Sequence, residues 1–97
     1  MADVVALDSY ILDTLMRDLV GHDRRPAAYL VYLAVAAAQD RGGGYTSHAE
    51  LAERTGLSKR AVQDALRHLA ARALVRIDRG ALTEAAALTT LRPWQRA

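Results

Sequence analysis

Residues 46–77 contain two candidate helix N-caps, Ser47 and Ser58, with Gly56 between them. Few folds are compatible with this arrangement. Ser47 and Glu50 have the spacing of a capping box, in which the serine oxygen accepts the N–H of the glutamate and the carboxylate reaches back to the serine N–H. Gly56 can adopt positive φ, which suits the position after a helix end. Ser58 is then the expected N-cap of a second helix. The segment therefore predicts two short helices joined by a tight turn.

The two predicted helices differ in character. The first extends from about His48 to Arg54, and the second covers about 58–72. Apolar residues of the second helix recur at spacings of three and four, which places them on one face; they are Val62, Ala65, Leu66 and Leu69. The other faces carry Lys59, Arg60, Gln63, Asp64 and Arg67. The second helix is therefore expected to be amphipathic and basic.

Two longer helices are predicted before this segment. The first starts at about Asp3 or Asp8, extends to Val20 and stops at Gly21. Its wide apolar stripe consists of Val4, Ile11, Leu12, Leu15, Met16 and Leu19. The next helix is expected from about Pro26 to Asp40, because proline is tolerated in a first helical turn.

Short strands are predicted after the capped helices. Leu74 to Asp78 is a candidate for the first of them. The return strand is expected within Ala86 to Leu91. A shorter hairpin, which turns at Arg79–Gly80 and returns through Ala81 to Ala85, is an open alternative.

Charge is distributed unevenly along the chain. The net charge is +2, but residues 1–53 hold four arginines against eight acidic residues. Residues 54–97 hold nine basic residues against three acidic ones. The basic half coincides with the amphipathic basic helix, which favours a polyanion-binding face.

Length and composition limit the class of protein. Ninety-seven residues allow one domain, and 20 alanines make its core thin, so self-association is expected. The first ten residues lack the basic and apolar regions of a signal peptide. The apolar run from Ala27 to Ala38 is too short to span a bilayer. We therefore expect a soluble cytoplasmic protein that does not enter a membrane.

This pattern resembles the winged helix-turn-helix family of bacterial transcription regulators, which includes the MarR-like group. The residues that carry the resemblance are Glu50–Ala52, Gly56–Ser58, Ala61–Val62, Leu66, Leu69 and Ala73–Val75. The family often has glycine where Ala73 stands. The resemblance covers about Pro26 to the C-terminus, and it implies a short strand at Tyr45–Thr46 before the two capped helices. It implies a mainly α fold with a small β-wing, in which residues 1–22 form an extra N-terminal helix and residues 23–97 a DNA-binding domain.

The resemblance also implies sequence-specific binding of double-stranded DNA. Helix 58–72 would enter the major groove as the recognition helix, and the wing around 79–85 would lie near the backbone or minor groove. The candidate contact residues are Ser47, Ser58, Lys59, Arg60, Gln63, Asp64, Arg67, Arg76 and Arg79. Asp64 has two readings, since it can accept from cytosine or bond within its helix to Arg60 or His68.

The N-terminal helix also has two readings. It can cover the core of its own chain, or it can pair with the same helix of a second copy, as regulators of this family commonly do. The candidate dimer residues are Ile11, Leu12, Leu15, Met16 and Leu19. We expect a homodimer.

Catalytic motifs are not recognisable. His22, His48 and His68 are widely separated, the chain has no cysteine, and the triple glycine is not followed by lysine. We therefore expect no enzyme activity, metal or cofactor, and no small-molecule effector is evident. The rival readings are a protein-interaction module and a DNA-binding component of a replication or plasmid-maintenance system.

Overall fold

The described part of the chain is mainly helical, with a small antiparallel sheet. The computed structural model describes residues 3–42, 45–79 and 86–93. The elements in chain order are an N-terminal helix of two π-helical segments (Ile11–Leu15 and Arg17–His22), α1 (Pro26–Asp40), β1 (Tyr45–Thr46), α2 (His48–Thr55), α3 (Lys59–Ala71), β2 (Val75–Arg79) and β3 (Ala86–Thr90). The sequence predicted each of these elements, but it did not predict the π-helical form.

The N-terminal helix starts at the later of the two predicted positions, and it ends at His22, beyond the predicted end at Val20. Residues 3–8 are not helical, and the Asp8 carboxylate accepts the N–H of Tyr10 at 2.9 Å, so the later predicted start is the observed one. Gly21 does not stop the helix, because its φ is not positive and the helix continues beyond it. Val4 was wrongly placed in the apolar stripe, since it precedes the helix and is 81 % exposed.

Helix α1 has the predicted bounds and forms the centre of the fold. It packs against α2, α3, β3 and the second π-helical segment. Two buried tyrosines use their hydroxyl groups to tie α1 to both ends of the chain. Tyr29 Oη donates to the Ile11 carbonyl at 2.9 Å, and Tyr32 Oη donates to the Leu91 carbonyl at 3.4 Å. These bonds satisfy polar groups that burial would otherwise penalise.

One core joins the N-terminal helix to the rest of the molecule. Ile11, Leu15 and Leu19 are at most 2 % exposed and belong to the same cluster as the buried residues of α1 and α3. The core-covering reading of this helix therefore accounts for these three residues.

The sheet has the strand order β1–β3–β2, with both pairs antiparallel. In its register Val75 lies opposite Thr90, and Arg79 lies opposite Ala86. The shorter hairpin returning through residues 81–85 is therefore wrong, because β2 already pairs along its length with β3. The loop that joins the two strands lies outside the described residues.

Helix α3 ends in a left-handed turn centred on Ala73. Ala73 has a φ of 56°, and its N–H donates to the Ala70 carbonyl at 3.0 Å. The N–H of Leu74 donates to the Leu69 carbonyl at 2.9 Å. These two bonds and the positive φ form a Schellman motif, in which glycine is the usual residue. The turn directs the chain from α3 into β2.

Candidate nucleic-acid interface

The turn between α2 and α3 is fixed by local hydrogen bonds. Ser47 Oγ accepts the N–H of Glu50 at 3.1 Å, and Ser58 Oγ accepts the N–H of Ala61 at 3.0 Å. Both predicted N-caps are thus confirmed. Gly56 has a φ of 78° and donates its N–H to the Ala52 carbonyl, which confirms the predicted helix end.

The capping box also predicted that the Glu50 carboxylate accepts the N–H of Ser47, but the observed donor is a different group. Glu50 Oε2 accepts from the hydroxyl of Thr46 at 3.3 Å, so the carboxylate reaches the residue before the cap. The Thr55 hydroxyl donates to the Leu51 carbonyl at 2.6 Å and accepts the N–H of Leu57 at 3.3 Å. These bonds hold the connection between α2 and α3 in one geometry.

Helix α3 separates an apolar face from a polar one, as its sequence predicted. Its buried residues are Val62, Ala65, Leu66 and Leu69. Four of its candidate contact residues are exposed, namely Lys59, Arg60, Gln63 and Arg67. Within the described ranges, neither Lys59 nor Arg60 takes part in an ion pair, so both cations face solvent at the start of the helix.

Two polar side chains of α3 have partners that the sequence did not predict. Asp64 bonds to Arg67 at 3.2 Å, so its expected partner, Arg60 or His68, was wrong. The pair lies three residues apart, a spacing that brings side chains together on a helix. Gln63 Nε2 lies 3.4 Å from His48 Nδ1 of α2. The exposed face of α3 is therefore continuous with the start of α2.

The hairpin contributes less to this surface. Arg76 is exposed, but its Nε atom donates to Asp78 at 3.0 Å, which offsets its charge locally. Arg79 ends β2, and its side chain lies outside the described residues, as does loop 80–85. The predicted contacts of the wing tip therefore also fall outside the described part of the chain.

A cluster of polar and charged side chains connects α3 to the N-terminal helix, and sequence reasoning missed it. Asp23 Oδ2 lies 2.8 Å from His68 Nε2 and also accepts from Arg72. Arg72 in turn donates to Asp18 at 2.7 Å. The only signal in the sequence was the spacing of four between His68 and Arg72. We call Asp18, Asp23, His68 and Arg72 the Asp23 cluster.

The Asp23 carboxylate is held in its ionised form. Its side chain is 8 % exposed, and this burial alone would raise its pKa. Hydrogen bonds with His68, His22 and Arg72 outweigh burial and lower the pKa from 3.8 to about 2.

Asp18, His22 and Asp23 each offer one possible metal-ligand atom, and these three atoms lie within 4.8 Å of one another. The two carboxylates already bind the Arg72 guanidinium. A cation there would compete with that positive charge, so the arrangement favours an ion-pair network over a metal site.

The N-terminal helix divides the five candidate dimer residues between two faces. Ile11, Leu15 and Leu19 lie in the core of their own chain and cannot form an exposed interface. Leu12 and Met16 are 49 % and 39 % exposed. They lie at a spacing of four, which continues to Val20 of the same helix, and Leu30 of α1 is exposed as well. We call Leu12, Met16, Val20 and Leu30 the outer apolar set.

Comparisons with known proteins provide no relative for this chain. No family model, no curated protein and no solved structure matches it. Within the described ranges, none of the helices combines the length and apolar character needed to cross a bilayer.

Proposed function

We propose that the chain is a winged helix-turn-helix protein that binds double-stranded DNA in a sequence-specific manner. The observation that carries the proposal is the geometry of α3, which buries one apolar face and exposes Lys59, Arg60, Gln63 and Arg67 on the others. The capped turn from α2 and the strand order β1–β3–β2 support the same assignment.

Helix α3 has suitable dimensions for the major groove of B-DNA. Thirteen residues make a helix roughly 20 Å long, and the groove is about 12 Å wide, enough for one α-helix. The first turn of such a helix is closest to the bases. Lys59 and Arg60 would there bind phosphate or guanine, and Gln63 would bind adenine through its amide.

The two cap serines have a structural role that accounts for their residue type. Both hydroxyl groups accept backbone N–H groups, so a DNA contact from Ser47 or Ser58 would be secondary to capping. A phosphate near either helix N-terminus would still be favoured by the helix dipole.

We further propose that the protein acts as a homodimeric transcription regulator in the bacterial cytoplasm. The outer apolar set supports self-association, since exposed apolar side chains gain free energy when a second copy buries them. A dimer would present two copies of α3 to successive major grooves about 34 Å apart on a pseudo-palindromic site.

Fluorescence anisotropy with mixed-sequence duplex DNA tests the binding proposal. Affinity should fall steeply between about 50 and 200 mM salt, because phosphate binding releases counterions. Lys59→Ala/Arg60→Ala should weaken binding roughly tenfold. Arg17→Ala/Arg41→Ala is the matched control, because it removes the same charge from exposed positions outside α3 and should bind like the wild type.

Two outcomes would contradict the proposal. One is no binding at low salt, which would favour a protein-interaction module and lead to a partner pull-down. The other is equal weakening in both double variants, which would indicate attraction by net charge without a specific surface.

A further inference from the structure

An open cleft of about 410 Å³ lies beside the exposed face of α3. It is lined by Arg25, Asp64, Arg67, His68 and Ala71. Four of these residues belong to α3, whereas Arg25 comes from the turn that precedes α1. Arg25, a cation from a distant part of the sequence, therefore lies at the edge of the candidate recognition helix.

The Asp23 cluster fastens that turn to α3. Asp23 binds His68 and Arg72, and it stands two residues before Arg25. The N–H of Arg25 donates to the Leu19 carbonyl at 2.8 Å, which closes the end of the N-terminal helix. The bonds of Asp23 to α3 and the bond from Arg25 to Leu19 therefore hold Arg25 beside α3.

The backbone of the turn is also strained. Arg24 has a φ of 56°, a left-handed conformation that non-glycine residues rarely adopt. Such a conformation persists only where the surrounding structure fixes it. The bonds of Asp23 provide that constraint and place Arg24 and Arg25 at the surface.

Charge at the cleft favours an anion. Arg67 shares its charge with Asp64, and Arg72 is matched by two carboxylates. Arg25 is exposed and, like Arg24, takes part in no ion pair with another described residue. The cleft lining thus contains two arginines, Arg25 and Arg67, and one carboxylate, Asp64.

The cleft lies on one flank of α3, and α2 lies on the other. Gln63 contacts His48 at the start of α2, whereas Asp64 and His68 face the turn that carries Arg25. A helix seated in a major groove has a phosphate backbone along each flank. Arg25 is therefore positioned for the backbone on the side opposite α2.

We propose that Arg25 and Arg67 together bind one DNA backbone phosphate in this cleft. The proposal rests on the DNA-binding function above and extends the interface beyond the helix-turn-helix and hairpin. Two guanidinium groups can donate several N–H bonds to phosphate oxygens, which suits Arg better than Lys at such a site. The contact would position α3 without reading sequence.

The test compares Arg25→Ala with Arg41→Ala in the full-length protein by anisotropy over a salt series. The two arginines stand at opposite ends of α1, so the control removes the same charge at a distance of roughly 20 Å. Arg25→Ala should weaken binding to every duplex roughly tenfold and make the salt slope shallower by about 1 per protomer. Arg41→Ala should leave both quantities unchanged.

A double variant tests whether the phosphate is shared. If Arg25 and Arg67 hold the same group, the loss in Arg25→Ala/Arg67→Ala should be smaller than the product of the single losses. Losses that multiply would overturn the shared site. Far-UV circular dichroism checks folding, and Arg25→Gln provides a second neutral variant that keeps the aliphatic stem through Cδ.

The outcomes separate this inference from the proposed function. Wild-type binding that depends on Lys59 and Arg60, with Arg25→Ala equal to Arg41→Ala, would overturn the phosphate site alone. No wild-type binding at low salt would overturn both proposals.

Discussion

His68 of α3 and Asp23 of the turn after the N-terminal helix lie 2.8 Å apart, between Nε2 and Oδ2, although 45 residues separate them in sequence. Arg72 binds the same carboxylate and also reaches Asp18. One buried acidic group thus joins the N-terminal helix to the C-terminal half of α3. The relationship matters for function because it sets the position of the exposed face of α3 relative to the rest of the chain.

Replacement of Asp23 should therefore destabilise the fold. Asp23→Asn should lower the free energy of unfolding by about 1–3 kcal/mol, because hydrogen bonds to a charged group are lost and Arg72 keeps only one carboxylate. Urea denaturation followed by circular dichroism measures the change. Asp13→Asn, at an exposed position of the N-terminal helix, is the matched control and should change stability by less than about 0.5 kcal/mol. Equal stability of the two variants would contradict this role.

The same carboxylate should make the protein sensitive to acid. The pKa of Asp23 is about 2 in the folded state against 3.8 for the unperturbed group, so its ionised form stabilises the fold above pH 4. This stabilisation is lost as the pH falls from about 4 through 2. A pKa lowered by this amount corresponds to a contribution of about 2 kcal/mol.

The measurement is the difference in unfolding free energy between wild type and Asp23→Asn at pH 5, 3 and 2. The difference should shrink as the pH falls, because the wild-type carboxyl becomes neutral like the amide. A difference that stays constant down to pH 2 would contradict the lowered pKa.

Local signals made much of the fold predictable. The caps at Ser47 and Ser58 and the turn at Gly56 depend on bonds within four residues, so their geometry is encoded in short stretches of sequence. The bounds of α1 followed from a proline at its start and a continuous apolar run.

Contacts between distant segments were not predictable in this way. The partner of His68 lies 45 residues away, and no local rule selects Asp23 among the acidic residues of the N-terminal half. The sequence also could not show which residues of the N-terminal apolar stripe are buried. Leu12 and Leu15 are the same residue type, but the first is exposed and the second is buried in the tertiary structure. The candidate site was therefore predictable on α3 itself and not at its flank.

The left-handed turn at Ala73 offers a stabilising substitution. Ala73→Gly should raise the free energy of unfolding by about 0.5–1 kcal/mol, because an L-residue at positive φ costs about 1–2 kcal/mol and glycine recovers most of it. Ala70→Gly, on the exposed side of α3, is the opposite control and should lower stability by about 1 kcal/mol. Chemical denaturation distinguishes them, and destabilisation by both substitutions would argue against the Schellman motif.

The outer apolar set predicts where a dimer would form. Leu12→Asp should abolish self-association in sedimentation velocity while circular dichroism remains that of the folded protein, because Leu12 is 49 % exposed. Leu15→Asp should unfold the chain, since it would bury an unpaired charge at a position 2 % exposed. Val4→Asp makes the same chemical change at a residue 81 % exposed and outside the helix, and it should leave the dimer intact. A dimer that survives Leu12→Asp would place the interface elsewhere.

Within the DNA-binding proposal, Gln63 and Lys59 should have different roles. Gln63→Ala should weaken binding by about 1–3 kcal/mol and relax the preference at one base pair, because an amide can form two hydrogen bonds with adenine. Lys59→Ala should weaken binding to all sequences similarly and make the salt slope shallower, because an ammonium group at the helix start acts on phosphate.

Binding of each variant to a panel of single-base-pair changes, at two salt concentrations, measures both effects. The contact between Gln63 and His48 supplies a control, since His48→Ala removes that partner and leaves the amide in place. His48→Ala should keep the base preference if the amide itself reads the base. If His48→Ala also loses the base preference, the orientation of Gln63 depends on α2. Gln63 and His48 would then read the base pair together. Identical sequence and salt profiles for Gln63→Ala and Lys59→Ala would contradict the division of roles along α3.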